Sequence, residues 1–209
     1  LSSGAVTATI RSMETCAGSE RIQEQSCGML WNIFSDPRNM PRTIIDISDI
    51  KYIIEAMQNH PESARVQEAA CGALWSLMAY SDDVKYASVQ SGGIEVVMCA
   101  LLMFESHIKV LECACGVLSS LSIDPNHART IVDAGVIGAV VGVMENNMDS
   151  IQMIEYGCLL LRNLAASNKR YAEEASSSCS TILRGILEYP DHGGLQKEAC
   201  GALWSLAAQ

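Results

Sequence analysis

Aromatic side chains are scarce in this chain, at 5% of residues with only two Phe. A core built on large rings is excluded. The 49% of apolar residues must pack as Ala, Leu, Ile, Val, Met and Cys, which suits close helix–helix contact. Basic charge is also short, with 14 Lys and Arg against 24 Asp and Glu and a formal net charge of -10. That argues against nucleic acid and anionic membrane surfaces, where Lys and Arg supply the attraction. It is compatible with a basic protein partner. Long apolar runs are missing too. Val96–Phe104 and Val136–Met144, nine residues each, are the longest, whereas a membrane-spanning helix needs about 18 or more. The expectation is a soluble chain without direct membrane insertion. No basic stretch followed by an apolar one opens the sequence, so no signal peptide is expected.

Catalytic signatures are equally sparse. His60, His107, His127 and His192 fall mostly in predicted turns, with no two at ligand spacing. Cys113 and Cys115 point to different faces of one helix, with no second pair nearby. There is no phosphate-cradling glycine loop and no nucleophile elbow. Asp82-Asp83 and Glu173-Glu174 lie at helix beginnings or on solvated faces. The reading is a protein that is not an enzyme and takes no cofactor or metal.

What the chain does have is repetition. RIQEQSCGMLWNI, RVQEAACGALWSL, KVLECACGVLSSL, QMIEYGCLLLRNL and LQKEACGALWSL share one pattern, and their aligned cysteines are Cys27, Cys71, Cys115, Cys158 and Cys200. The intervals are 44, 44, 43 and 42 residues. A fixed period of this size signals stacked helical units, since one unit cannot bury its apolar face alone. The expected domain is a single solenoid over 1–209, with repeats at 1–36, 37–80, 81–124, 125–167 and 168–209. Five of the nine cysteines recur at one helical position, as a small core residue does. Equivalent positions in neighbouring helices lie about 8–10 Å apart, too far for a disulfide. Reduced thiols in the cytoplasm or nucleus follow.

Each complete unit reads as three helices. In the second, Ala64–Ala79 carries Val66, Ala70, Ala73 and Leu77 at helical spacing, preceded by Ile47–Gln58 and a shorter segment around Pro41–Ile45. In the third, Asp82–Gln90 is broken by Ser91-Gly92-Gly93, then Ile94–Phe104 and Ser106–Leu121 follow. The fourth gives Asn126–Asp133, Val136–Glu145 and Ser150–Ala165, and the fifth Tyr171–Ala175, Cys179–Leu187 and Leu195–Ala208. The first unit lacks the short helix and begins near Gly4–Glu14. Neither end shows the polar face of a capping repeat. The reading is a fragment of a longer array, or a protein whose ends meet other subunits.

Phrases such as VQEAACGALWSLMAYSDDVKYASVQSGGIEVVMCAL resemble armadillo repeats, and the resemblance covers essentially the whole chain. It implies an all-α fold, a right-handed superhelix of about five stacked three-helix repeats. It also implies that third helices line a concave groove holding an extended peptide. Carried over by position, Arg65, Glu68, Ala69, Gly72, Trp75, Ser76 and Ala79 share that face in the second repeat. A carboxylate row of Glu24, Glu68, Glu112 and Glu155 would meet Lys or Arg of the peptide. Its alternative is pairing with basic helix neighbours such as Arg21 and Arg65 at i,i+3. Trp31, Trp75 and Trp204 offer indole anchors, or fill seams between helices. Asn32 and Asn163 stand where the family carries a backbone-binding asparagine, with Ser76, Ser120 and Ser205 replacing it elsewhere, and Arg162 standing beside Asn163. One turn before, import adaptors resemble W-x-x-x-N, but this chain has Gly28, Gly72, Gly116, Leu159 and Gly201. Glycine there costs about 1 kcal/mol of helix propensity relative to Ala, which points to a close neighbour. The expected function is a scaffold binding an extended, basic peptide. The alternatives are end-to-end self-association through uncapped ends or a convex face, and import-adaptor-like recognition of basic localisation signals.

Overall fold

The computed structural model describes residues 3–36 and 45–208, and the described residues are all-α, with no strand among them. Positions 41–44 of the short segment expected around Pro41–Ile45 lie outside the described residues. The chain divides into two compact units, Leu1–Met103 and Phe104–Gln209. The division falls inside the third repeat, between its second and third helices. No single helix among the described residues is long and apolar enough to cross a membrane.

The first unit contains α1 (Ser3–Thr15), α2 (Glu20–Phe34), α3 (Ile50–Asn59), α4 (Ala64–Met78), α5 (Asp82–Gln90) and α6 (Gly93–Met103). Helix α3 buries Ile50, Ile53, Ile54 and Met57 and packs along α4, which buries Val66, Ala70, Cys71 and Leu74. Each such aliphatic side chain contributes about 1.5–3 kcal/mol when fully buried. Side by side with α4 lies α2, and α1 closes over α2 and α3. The expected helix Ile47–Gln58 begins instead as a 3-10 turn, Ile47–Asp49, because the Asp46 carboxylate accepts from the Ser48 amide at 2.9 Å and holds that tighter start.

The second unit contains α7 (Ile108–Leu121), α8 (Pro125–Asp133), α9 (Val136–Asn146), α10 (Ile151–Ser167), α11 (Lys169–Ala175), α12 (Cys179–Glu188) and α13 (Gly193–Ala207). Here α10 lies between α7 and α13. Asp124 caps α8 through the amides of Asn126 and His127, with Pro125 in the first turn where its missing N–H costs nothing. The short first and second helices of a repeat meet at a sharp corner. Gly92 and Gly135, both at φ +83°, make the two corners, bending α5–α6 by 79° and α8–α9 by 71°.

A glutamine four residues before the repeated cysteine ties third helix to second. Gln67 Nε2 donates to the carbonyls of Met57 at 2.9 Å and His60 at 3.0 Å, at the C-terminal end of α3. Gln23 makes the same pair of bonds to Met13 and Cys16, and Gln196 to Ile186 and Tyr189. A single amide thereby satisfies one carbonyl of the last helical turn and adds a second bond to a carbonyl in the turn that follows, which already accepts from Ser19, Ser63 or His192 N–H. Leu111 and Ile154 occupy this position in the third and fourth repeats, where apolar packing replaces the tie.

Cys27, Cys71, Cys115 and Cys158 are buried, whereas Cys200 at the same register is exposed, as is Cys99. Burial pushes the Cys27, Cys115 and Cys158 thiols up to about 12. A raised pKa keeps the thiol protonated and unreactive at neutral pH. In native protein at pH 8, alkylation followed by peptide mass mapping will label Cys99 and Cys200 and spare Cys27, Cys115 and Cys158, which label only after denaturation. Labelling of the three buried thiols at the exposed-cysteine rate would show that these helices are not packed as described.

Candidate functional site

Side-by-side third helices are made possible by a size rule. In the first unit the Trp31 indole of α2 lies on Gly72 of α4, and a Cβ added to Gly72 would fall inside the ring's van der Waals envelope. In the second, Arg162 takes the tryptophan's place on α10 and lies on Gly201 of α13, where an added Cβ would meet its Cδ at 2.7 Å. The third repeat inverts the sizes. Ser119 stands at the tryptophan position and Leu159, on α10, at the glycine position; Asn163 Nδ2 donates to the Ser119 carbonyl at 3.1 Å. The recurring glycine is thus explained, at Gly72 and Gly201, by the large side chain of the preceding repeat. Gly28 has nothing within 4 Å of an added Cβ.

The carboxylate row divides by chemistry. Glu112 is buried: one oxygen accepts from Lys109 Nζ at 2.6 Å and the other from the Ser150 hydroxyl at 3.1 Å. Ser150 is the N-cap of α10 and accepts from the Met153 amide at 3.2 Å. Glu112 therefore orients the cap of the next third helix and places a negative charge at its N-terminus, where the helix dipole favours it. Glu155 also stands at the start of α13, 3.7 Å from Nδ1 of the N-cap His192 and against Gly194, but that nitrogen accepts from the Leu195 amide. In the first repeat the duty passes to Glu20, which accepts from the hydroxyl of the α4 cap Ser63 at 2.7 Å. Glu24 is released from it.

Glu24 and Glu68 are half-exposed, and among the described residues neither makes an ion pair. Arg21 and Arg65 are exposed and equally unpaired among those residues. The i,i+3 pairing open to all three repeats occurs only in the third, between Lys109 and Glu112. A buried carboxylate needs its partners, whereas solvated pairs gain about 0–1 kcal/mol and need not close. Between α2 and α4, Glu24, Trp31, Asn32, Arg65 and Glu68 border a groove of about 690 Å³. Trp31 is half-buried with its edge in the groove, and the Asn32 side chain is exposed.

The other expected residues do different things. Trp75 and Ser76 are half-buried on α4. On α7 the Ser120 hydroxyl donates to the Gly116 carbonyl of its own helix at 2.9 Å, so it does not reach outward. Arg162 is paired with Glu198 of α13, which also meets Lys197 at 3.0 Å. Asn163 is half-buried and spends one amide donor on the Ser119 carbonyl, whereas Asn32 is exposed. Trp204 is 76% exposed. Arg65, set on the groove face by its periodic placement in the sequence, lines the groove, and Arg21, its equivalent in the first repeat, lines the hollow beside it.

The LRRK2 ARM repeat family model matches residues 45–208. Protein aardvark of Dictyostelium discoideum is 29% identical over 79 residues, 35% of this chain and 10% of that protein, so the chain spans about a tenth of that relative's length. Among solved structures, an engineered protein superposes with TM-score 0.78 at 19% identity, covering 99% of this chain and 82% of that one. A designed armadillo repeat protein in complex with the peptide (KR)4 gives 0.68 at 16%, covering 97% and 82%. A chain from a study of cadherin and beta-catenin interaction gives 0.60 at 15%, covering 99% and 45%. At these identities the structural likeness establishes the fold.

Because Gly72 is covered and Gly28 is open, alanine will act oppositely at the two. Gly28→Ala will stabilise by up to about 1 kcal/mol through helix propensity. Gly72→Ala, which must displace the Trp31 indole, will destabilise by about 1–3 kcal/mol. Urea unfolding of both variants checks this, and equal shifts of one sign would contradict the Trp31–Gly72 contact.

Proposed function

The chain belongs to the LRRK2 ARM repeat family, and from that premise we propose that it is a non-enzymatic scaffold holding an extended, basic peptide against its third helices. The observation that carries the reading is the groove between α2 and α4. There two carboxylates without ion partners among the described residues, Glu24 and Glu68, flank a half-buried indole and an exposed amide. Each element has a use for an extended ligand. The carboxylates accept charge-assisted bonds from Lys or Arg. Trp31 offers apolar area to an aliphatic stem. Asn32 supplies a donor and an acceptor, matching the N–H and C=O of a peptide unit.

The net charge of -10 favours encounter with a basic partner at moderate ionic strength. The designed relative that carries (KR)4 supports a basic ligand on this fold. Import-adaptor recognition fits less well, since the position one turn before Asn32 is Gly28 rather than an indole. The same reading puts the protein in the cytosol or nucleus, where its thiols stay reduced.

Fluorescence anisotropy with labelled (KR)4 at physiological salt tests the proposal. The double variant Glu24→Lys, Glu68→Lys will weaken binding by about tenfold or more. Reversal of the exposed second-helix glutamates Glu55 and Glu95 changes net charge equally and will cost no more than about twofold. Equal losses in the two variants would reduce the interaction to bulk charge and end the groove assignment.

A further inference from the structure

We infer that the α2–α4 groove, with the hollow beside it, prefers a basic segment that also offers carboxylates over a uniformly basic one. The inference rests on the groove reading above and names the partner's chemistry.

It starts from which charges the fold already uses. Along the third helices of the second unit, Lys109 meets Glu112, His192 lies beside Glu155, and Arg162 and Lys197 both meet Glu198. Those groups are committed to stacking and capping. In the first unit, Arg21, Glu24, Arg65 and Glu68 have no ion partner among the described residues. For Glu24 the sequence gives the reason: Glu20, present at the helix start only in the first repeat, takes the Ser63 cap in its place.

The four groups are ordered. Arg and Glu within each helix stand three residues apart, with Cβ atoms about 5–6 Å from each other. The two helices repeat that pair across about 8–10 Å. The result is two cations and two anions across two adjoining depressions: Glu24, Arg65 and Glu68 line the groove, and Arg21, Glu24 and Arg65 line a hollow of about 520 Å³ beside it. A polybasic ligand gains at Glu24 and Glu68 and is repelled at Arg21 and Arg65, so it binds through the carboxylate half alone. A ligand alternating in sign satisfies all four. Residues i and i+2 of an extended segment stand about 7 Å apart on one side, commensurate with the wall's own spacing. Arg is suited to the carboxylate half, since its guanidinium takes a carboxylate in bidentate fashion.

The test measures (KE)4 and (KR)4 against the wild-type chain and against Arg21→Gln, Arg65→Gln, by anisotropy at physiological salt, with circular dichroism confirming helicity. The wild type will bind (KE)4, and the double variant will bind it at least tenfold more weakly while binding (KR)4 more tightly. No detectable wild-type binding of (KE)4, or a variant that leaves (KE)4 affinity unchanged, overturns the mixed-charge inference. In either case (KR)4 binding that responds to Glu24→Lys, Glu68→Lys leaves the groove reading intact. Loss of all peptide binding by the wild type overturns both.

Discussion

Everything in this fold depends on third helices approaching closely enough for a large side chain of one repeat to lie on a glycine of the next. Trp31 on Gly72 and Arg162 on Gly201 are two solutions to that constraint. Ser119 and Leu159 are its inverse. Protein interiors are close-packed, so a volume change on one helix has to be met on its neighbour. The glycines are poor helix formers kept where proximity outweighs propensity. The same approach brings a glutamate of one repeat to the N-terminus of the next third helix, where Glu20 and Glu112 each accept a bond from a capping serine.

That second consequence decides the functional surface. A repeated acid in this fold is not automatically a ligand contact, because stacking has its own use for a carboxylate at a helix start. Glu112 is fully engaged inside the second unit, with Lys109 on one oxygen and Ser150 on the other. Glu24 and Glu68 stand at the same helical position and keep their charges open to a groove. Identical positions in a repeat thus carry different duties, and at Glu24 one additional acid, Glu20, a turn earlier, takes over the capping bond.

Much of the architecture was legible in the sequence, because the period of 42–44 residues and the i, i+4, i+7 spacing of apolar residues are direct physical signatures of stacked amphipathic helices. The glycine corners at Gly92 and Gly135 were equally readable. The Gln67 tie was not, since a glutamine beside a glutamate reads as a solvated face until its amide is seen reaching back to Met57 and His60. Nor was the split in the glutamate row. Pattern gives each acid a position on its own helix, but the partner that commits Glu112 sits 38 residues later at Ser150. The face was legible; the occupancy of each group on it required the neighbouring helix.

The closeness of the third helices can be observed without a ligand by NMR on glycine-labelled protein. The account predicts that the Gly72 α-protons are shifted upfield by the Trp31 ring current and show an NOE to that indole. Trp31→Leu will abolish the shift, and Gly28 will show none. Gly72 resonances at ordinary helical positions, unchanged by Trp31→Leu, would contradict the stacking from which the groove and its open charges follow.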